Sequence, residues 1–210
     1  QFSWMGGEWQ KTLKYKEDTL VTDVKARTDR LKIELQMYDT VDFHLNIFVK
    51  EIVVRNLEGR DREVRLFFNH DFHIYENEVG DTAYYDPDTM AIIHYKSQRY
   101  FLINCCDPAK CGIDHFATGI KEMAGAEGTW RDAEDGTLSG NPIAQGSVDS
   151  TLSINLRIKA HGENVAHYWI AAGTKYSEVV KLNKDIWEKT PEELIRRTEN
   201  YWKLWVNKEM

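Results

Sequence analysis

The sequence predicts an all-β sandwich or barrel that ends in helices, and three observations carry the prediction. Short runs of alternating apolar and polar residues recur along most of the chain, separated by Gly-, Asn- and Asp-containing breaks, as in stacked antiparallel sheets. From Ser177 onward the apolar spacing turns helical. At 210 residues, 42% hydrophobic and 29% charged, the composition is globular and the length suits one large domain of the all-β kind with an appendage.

Taken in order, Phe2–Met5 and Trp9–Tyr15 read as a hairpin turning at Gly6 and Gly7, because glycines between β-prone runs supply the positive φ of a tight turn. Strands are expected at Leu20–Ala26 and Leu31–Met37, the second from Leu31, Ile33, Leu35 and Met37 alternating with polar neighbours. Phe48, Ile52 and Val54 form a hairpin with Val64, Leu66 and Phe68 across the polar turn Leu57–Asp61. Further strands are expected at Phe72–Tyr75, Thr82–Tyr85, Ala91–Tyr95, Tyr100–Asn104, Ala117–Lys121, Ser150–Ile158 and Val165–Ala172. Val179, Val180, Leu182, Ile186 and Trp187 mark a first helix. Thr190 as N-cap, Pro191 at the first helical position and Glu193 closing a capping box start a second, whose stripe is Leu194, Thr198, Tyr201, Trp202 and Trp205.

Residues 119–150 hold six of the thirteen glycines and show neither period from Ala124 on, so they predict a long loop. Loops of that length are functional or disordered. Trp130, Leu138, Ile143 and Val148 favour an ordered loop that makes contacts, since disordered linkers are poor in such residues.

A net charge of −7 and the lack of a Lys/Arg stripe argue against nucleic-acid binding. No apolar run is long enough to span a membrane. The chain starts at Gln1 without Met, inside an expected strand and without a signal-peptide pattern, as an excised or processed segment would. Three cysteines do not make a secreted disulfide framework, so a reducing cytoplasm is expected.

Candidate chemistry is sparse. Cys105, Cys106, Cys111 and His115 lack the spacing of zinc sites, and an adjacent Cys pair projects to opposite strand faces. No metal site is expected. His70, beside Phe68 and Phe72, reads as a core histidine, while Asp71 and His73 share the other face as an ordinary pair. Glu127, Asp132, Glu134 and Asp135 surround Trp130 and Arg131; a glycosidase needs two carboxylates at a set separation, which sequence spacing across a loop does not fix.

Three stretches resemble a known family: Arg65–Tyr75 (RLFFNHDFHIY), Gly80–Pro87 (GDTAYYDP) and above all Gly125–Ser150 (GAEGTWRDAEDGTLSGNPIAQGSVDS). Together they resemble the N-terminal β-sandwich domain of glycoside hydrolase family 15, which includes prokaryotic glucoamylases, glucodextranases and trehalases, and the likeness runs from Gln1 to Thr198–Val206 (TENYWKLWV). The resemblance implies a large antiparallel supersandwich of the galactose-mutarotase type at residues 1–175. Residues 176–210 would be a helical linker toward an (α/α) six-hairpin barrel that carries the hydrolytic glutamates. No position here matches those glutamates. The implied role is a noncatalytic domain bracing the barrel of an enzyme that hydrolyses terminal α-glucosidic bonds of an α-glucan or α-glucoside, without metal or organic cofactor. Trp130, Arg131, Asp132, Glu134, Asp135 and Asn141 would face the barrel or its substrate cleft, and Tyr201, Trp202 and Trp205 would dock the linker helix. A homodimer through Trp202 and Trp205 is a further expectation, since uncovered apolar faces recruit partners. Two other readings are a carbohydrate-binding module using Trp4, Trp9, Tyr84 and Tyr85, and a sugar epimerase pairing His70, His73, His94 or His167 with a carboxylate.

Overall fold

In the computed structural model, described for residues 1–77, 79–122 and 125–208, the chain forms two stacked antiparallel sheets with helices on the outer face of the larger one. Met123 and Ala124 of the expected loop, and Glu209 and Met210 of the expected linker, lie outside the described residues.

The larger sheet runs β1 (Gln10–Tyr15), β2 (Thr22–Thr28), β3 (Ile33–Val41), β4 (Ile47–Asn56), β12 (Glu163–Gly173), β8 (Arg99–Cys106), β7 (Ala91–Lys96), β6 (Asp81–Asp86), β10 (Ile143–Gly146) in spatial order. The smaller sheet is β5 (Arg62–His70), β11 (Val148–Ile158), β9 (His115–Ile120). Alternation decides which side chains enter the space between them. Leu152, Ile154, Leu156 and Ile158 of β11 meet Leu35, Ile52, Val54, Ile103 and Ala166 of the larger sheet in one buried cluster.

Central strands of the larger sheet are buried on both faces. Ile47 and Val49 of β4 and Trp169 of β12 point away from the smaller sheet and pack under α2 (Tyr176–Lys189) and α3 (Pro191–Asn207) through Ile186, Leu194 and Ile195. A buried polar relay seats α2: the Trp169 indole donates to Asn183 Oδ1 at 2.9 Å, which also accepts from Asn104 Nδ2 at 3.3 Å. At Thr190 the backbone breaks to φ +67°, and its hydroxyl accepts from the Glu193 N–H at 3.4 Å. The reciprocal half of the capping box is replaced, because the Glu193 carboxylate pairs with Arg196.

Four sequence expectations are corrected. Phe2–Met5 is not a strand: Phe2 and Trp4 lie against Phe67 and Trp130, and the first hairpin is β1–β2, closed by Lys16 N–H donating to Val21 O at 2.8 Å. The strands around Leu57–Asp61 do not pair, because both sides of β4 are taken by β3 and β12. The chain instead crosses to the smaller sheet, where β5 pairs with β11, and period two with a polar turn cannot distinguish such an arch from a hairpin. Phe72–Tyr75 gives way to a 3-10 turn at Ile74–Glu76, broken by Tyr75 at φ +62°. The loop after Ile120 carries a short helix α1 (Trp130–Asp135) and β10, both too short to show a period.

Candidate functional site

Two regions bring the candidate residues together: the 125–150 segment, which runs from α1 against the small sheet to β10 at the edge of the larger one, and the aromatic end of α3.

The first is built around Asp149, buried at the start of β11. Its Oδ2 accepts from the Thr129 N–H (2.7 Å), the Thr129 hydroxyl (3.0 Å) and Asn69 Nδ2 (3.1 Å), which fixes the start of α1 on the sheet. Thr129 and Thr151 hydroxyls lie 2.9 Å apart, extending the network. Gly128 is needed here, since at φ +107° a Cβ would come within 2.6 Å of Asp149 Oδ2. Burial raises the Asp149 carboxyl above its ordinary range, partly offset by the Asn69 and Thr129 hydrogen bonds. Beside it, the buried Lys121 ammonium pairs with Asp71 and approaches His73 Nε2 at 2.7 Å, and His73 stands 3.3 Å from Asp71. Asp71 and His73 thus pair as expected, although β5 ends at His70 and no strand carries them, and Lys121 is a third member that spacing did not reveal.

On α1, Trp130 is partly buried, its indole donating to Glu127 O at 2.6 Å, and the Arg131 guanidinium lies 4.6 Å over the ring. Arg131 ion-pairs with Glu127 and reaches Glu134 at 3.3 Å, and Trp4 donates to Glu134 Oε1 at 3.2 Å. Asp132 and Asp135 accept backbone N–H groups of Ser139 (3.4 Å) and Thr137 (2.8 Å), and the Asn141 amide donates to Thr118 O (2.7 Å) and Ile143 O (3.2 Å). These polar groups shape the segment itself and leave an exposed rim of charge around Trp130 and Trp4. The Arg131 hydrogen bond holds the Glu127 carboxyl below its ordinary range. Acid/base glycoside cleavage needs one carboxyl kept protonated. Asp149, the carboxyl pushed that way in this region, is sealed in the interior.

At the second region, the turn between β3 and β4 forms a seat for α3. Asp42, wholly buried, accepts the His44 and Leu45 N–H groups on Oδ1 at 3.0 and 2.8 Å. Its Oδ2 accepts from Arg197 Nε at 2.8 Å and the Thr198 hydroxyl at 3.3 Å. Phe43 stacks on Tyr201 at 4.4 Å. Beyond this seat the helix emerges: Trp202 is half-buried, whereas Trp205 and Leu204 are 59% and 75% exposed. Trp202, Trp205 and Val206 line, with Tyr15, Thr19 and Leu20, a groove of about 290 Å³. Asp42 and Arg197 were missed in the sequence because nothing local links residues 155 positions apart.

Most of the remaining candidates are engaged inside the protein. His70 Nε2 lies 2.7 Å from the Tyr168 hydroxyl, and Ser150 Oγ bridges His70 Nδ1 (3.2 Å) and His94 Nε2 (2.7 Å) between the sheets. Burial pushes both imidazoles down to about 3, so they are neutral. Neither has a carboxylate in that network, against the epimerase expectation. His167 does, with Glu51 at 3.2 Å and Glu192 at 3.4 Å, and its own side chain is buried. Of the aromatics expected to hold sugars, Trp9 is buried, Tyr85 stacks on Phe116 at 4.1 Å and Tyr84 meets Tyr95 edge-on at 6.0 Å, while Trp4 is exposed. Cys105 and Cys106 are buried, Cys111 and His115 exposed, and no metal-binding group of three His, Cys, Asp or Glu occurs among the described residues. No helix among the described residues is long and apolar enough to cross a membrane.

Comparison with known proteins finds similarity to a glycosyl hydrolase in sequence and to a glucoamylase in fold. No family model matches the chain. It is 26% identical over 155 residues to an uncharacterized glycosyl hydrolase of Methanocaldococcus jannaschii, covering 72% of this chain and 23% of that protein. It superposes on a bacterial glucoamylase solved in complex with acarbose with a TM-score of 0.73 over 95% of this chain and 29% of that one, at 13% identity, a likeness of fold. The chain therefore spans less than a third of either.

Proposed function

We propose that this chain is a noncatalytic β-sandwich domain of a glycoside hydrolase acting on terminal α-glucosidic bonds, and that it braces a catalytic (α/α) barrel through α3 and the 125–150 segment. The observation that carries the reading is the state of α3: its first half is clamped to the sandwich by Asp42, while its last turns present Leu204 and Trp205 uncovered. An amphipathic helix ordinarily buries its stripe within its own domain. A stripe left open over the last turns, beside the groove shared with Tyr15 and Leu20, suits a helix that packs against a partner domain. The lengths of the similar proteins support the same reading, since the matched region is under a third of each. In this arrangement residues 1–175 are the sandwich and residues 176–210 the linker. Trp130 is the apolar contact of the 125–150 segment, and Arg131 and Glu134 supply the charged rim around it.

The role requires no chemistry from this chain. Hydrolysis of the glycosidic bond needs a protonated acid and an ionised base across the scissile bond, and here the acidic groups near Trp130 are engaged with Arg131 or backbone N–H groups. The chain alone is expected to be inactive on maltooligosaccharides. In a protein holding both domains, Trp205→Ala and Trp130→Ala should each lower the unfolding temperature or kcat, with Trp205→Ala the larger effect. Hydrolysis by the isolated chain, or two-domain variants with unchanged stability and kinetics, would overturn the reading.

A further inference from the structure

We propose that Cys106 and Cys111 form a thiol pair arranged to close into an intramolecular disulfide by exchange with a low-molecular-weight disulfide. The two residues oppose each other as an antiparallel bridge at the end of β8. Asp107 N–H donates to Lys110 O and Gly112 N–H to Cys105 O, each at 2.9 Å, on either side of the pair. Those flanking bonds make Cys106 and Cys111 a non-hydrogen-bonded pair, the register in which opposed Cα atoms come closest, at about 4.5 Å. That separation lies within the roughly 4.4 to 6.8 Å over which disulfides close without backbone movement.

The surroundings assign different parts to the three cysteines. Cys105 points to the opposite face of β8, wholly buried between the sheets with its sulfur 3.9 Å from Gly112 O, and takes no part. Cys111 is exposed and meets a reagent first. Cys106 is buried in the apolar cluster with Leu194 and Ile195 of α3, and can be reached by Cys111 from the open side of the bridge. The turn between them is already ordered, since the Asp107 carboxylate accepts the Ala109 and Lys110 N–H groups at 2.7 and 2.9 Å. Closure therefore orders little chain that is not ordered before.

The step balances as two exchanges. The Cys111 thiolate attacks one sulfur of the small disulfide and one small thiol leaves. Cys106 then loses its proton and attacks Cys111 Sγ, and the second small thiol leaves. Two protein thiols are oxidised and one small disulfide is reduced to two thiols. Burial, and then the neighbouring Cys111, push the Cys106 thiol up, so the second exchange is the slow one and quickens with rising pH. The bond would tie the end of β8 to its return turn directly beneath α3. None of this depends on the glycosidase reading.

The test is to equilibrate the 210-residue chain with graded ratios of oxidised to reduced glutathione, block free thiols, and map the peptides by mass. At the oxidising end the expected product is a monomer lighter by two hydrogen atoms, with Cys106 linked to Cys111 and Cys105 still free, and excess reduced glutathione should restore the thiols. Cys105→Ala should keep the bond, and Cys106→Ala should hold Cys111 as the glutathione adduct. If Cys106→Ala does not fold, the peptide map of the unaltered chain decides alone. A stable glutathione adduct on Cys111 with Cys106 still reduced at the highest ratio, or Cys111 linked between two molecules, would overturn the proposal.

Discussion

Replacing Asp42 with asparagine should loosen α3 from the sandwich by an amount the contacts allow to be worked out. Asparagine keeps an oxygen for the His44 and Leu45 N–H groups but removes the charge that faces Arg197. A hydrogen bond to a charged group contributes about 1.5 to 3 kcal/mol. Arg197 Nη2 stands 2.6 Å from the same oxygen without hydrogen-bond alignment, and its side chain is 24% exposed, which moderates the loss through screening. A cost of about 2 kcal/mol follows, or roughly 4 to 8 °C in Tm for a chain of this size. Asp42→Ala also orphans two backbone donors and leaves Arg197 unpaired, so about 4 kcal/mol is expected. Arg196→Met is the control, because its pair with Glu193 is exposed and should be worth under about 0.5 kcal/mol. Urea unfolding followed by far-UV circular dichroism gives the three values. The reasoning is refuted if Asp42→Asn falls within about 0.5 kcal/mol of the Arg196→Met control.

Three further outcomes follow from buried groups. His70 and His94 are held near 3 in the folded state against an ordinary 6.5, so the unfolded chain takes up protons first. Stability should be full above about pH 6.5 and fall as pH drops toward 3, by up to about 1.4 kcal/mol per pH unit for each histidine, and His94→Gln should flatten that limb in urea midpoints measured against pH. An unchanged slope would count against it. Asn183→Ala strands the Trp169 indole N–H and leaves the Asn104 amide donating to Thr89 O alone, so it should cost about 1 to 3 kcal/mol, with a shift in tryptophan emission; a neutral result would mean that the relay contributes nothing. Gly128→Ala forces a Cβ against Asp149 at positive φ, so about 1 to 3 kcal/mol of strain and faster protease cutting within residues 125–150 are expected, and wild-type resistance would remove the argument.

Much of the fold was legible because its signals are local. Leu152, Ile154, Leu156 and Ile158 show period two wherever they pair, and Thr190–Pro191 announces a helix start that the structure keeps. The arch at Leu57–Asp61 was not legible, since whether β5 pairs with β4 depends on β3 and β12 taking both sides of β4 first. α1 and β10 fell below the length at which a period shows, and Phe2–Trp4 is held by rings from Phe67 and Trp130 far along the chain. His70 was placed correctly as a core residue from its apolar neighbours, yet its partners Tyr168 and Ser150 come from other strands.

By itself, then, the sequence determined what each segment can do alone: which face of a strand is apolar, where a helix starts, where glycine permits a turn. Those choices depend on side-chain period and backbone sterics within a few residues. Tertiary structure decided what meets what. The Asp149 anchor beneath α1, the Asp42 seat under α3 and the opposed Cys106 and Cys111 each depend on how strands are registered or how elements stack. That register is set by burial of the whole apolar face at once, since a slip of one residue would turn the entire set outward.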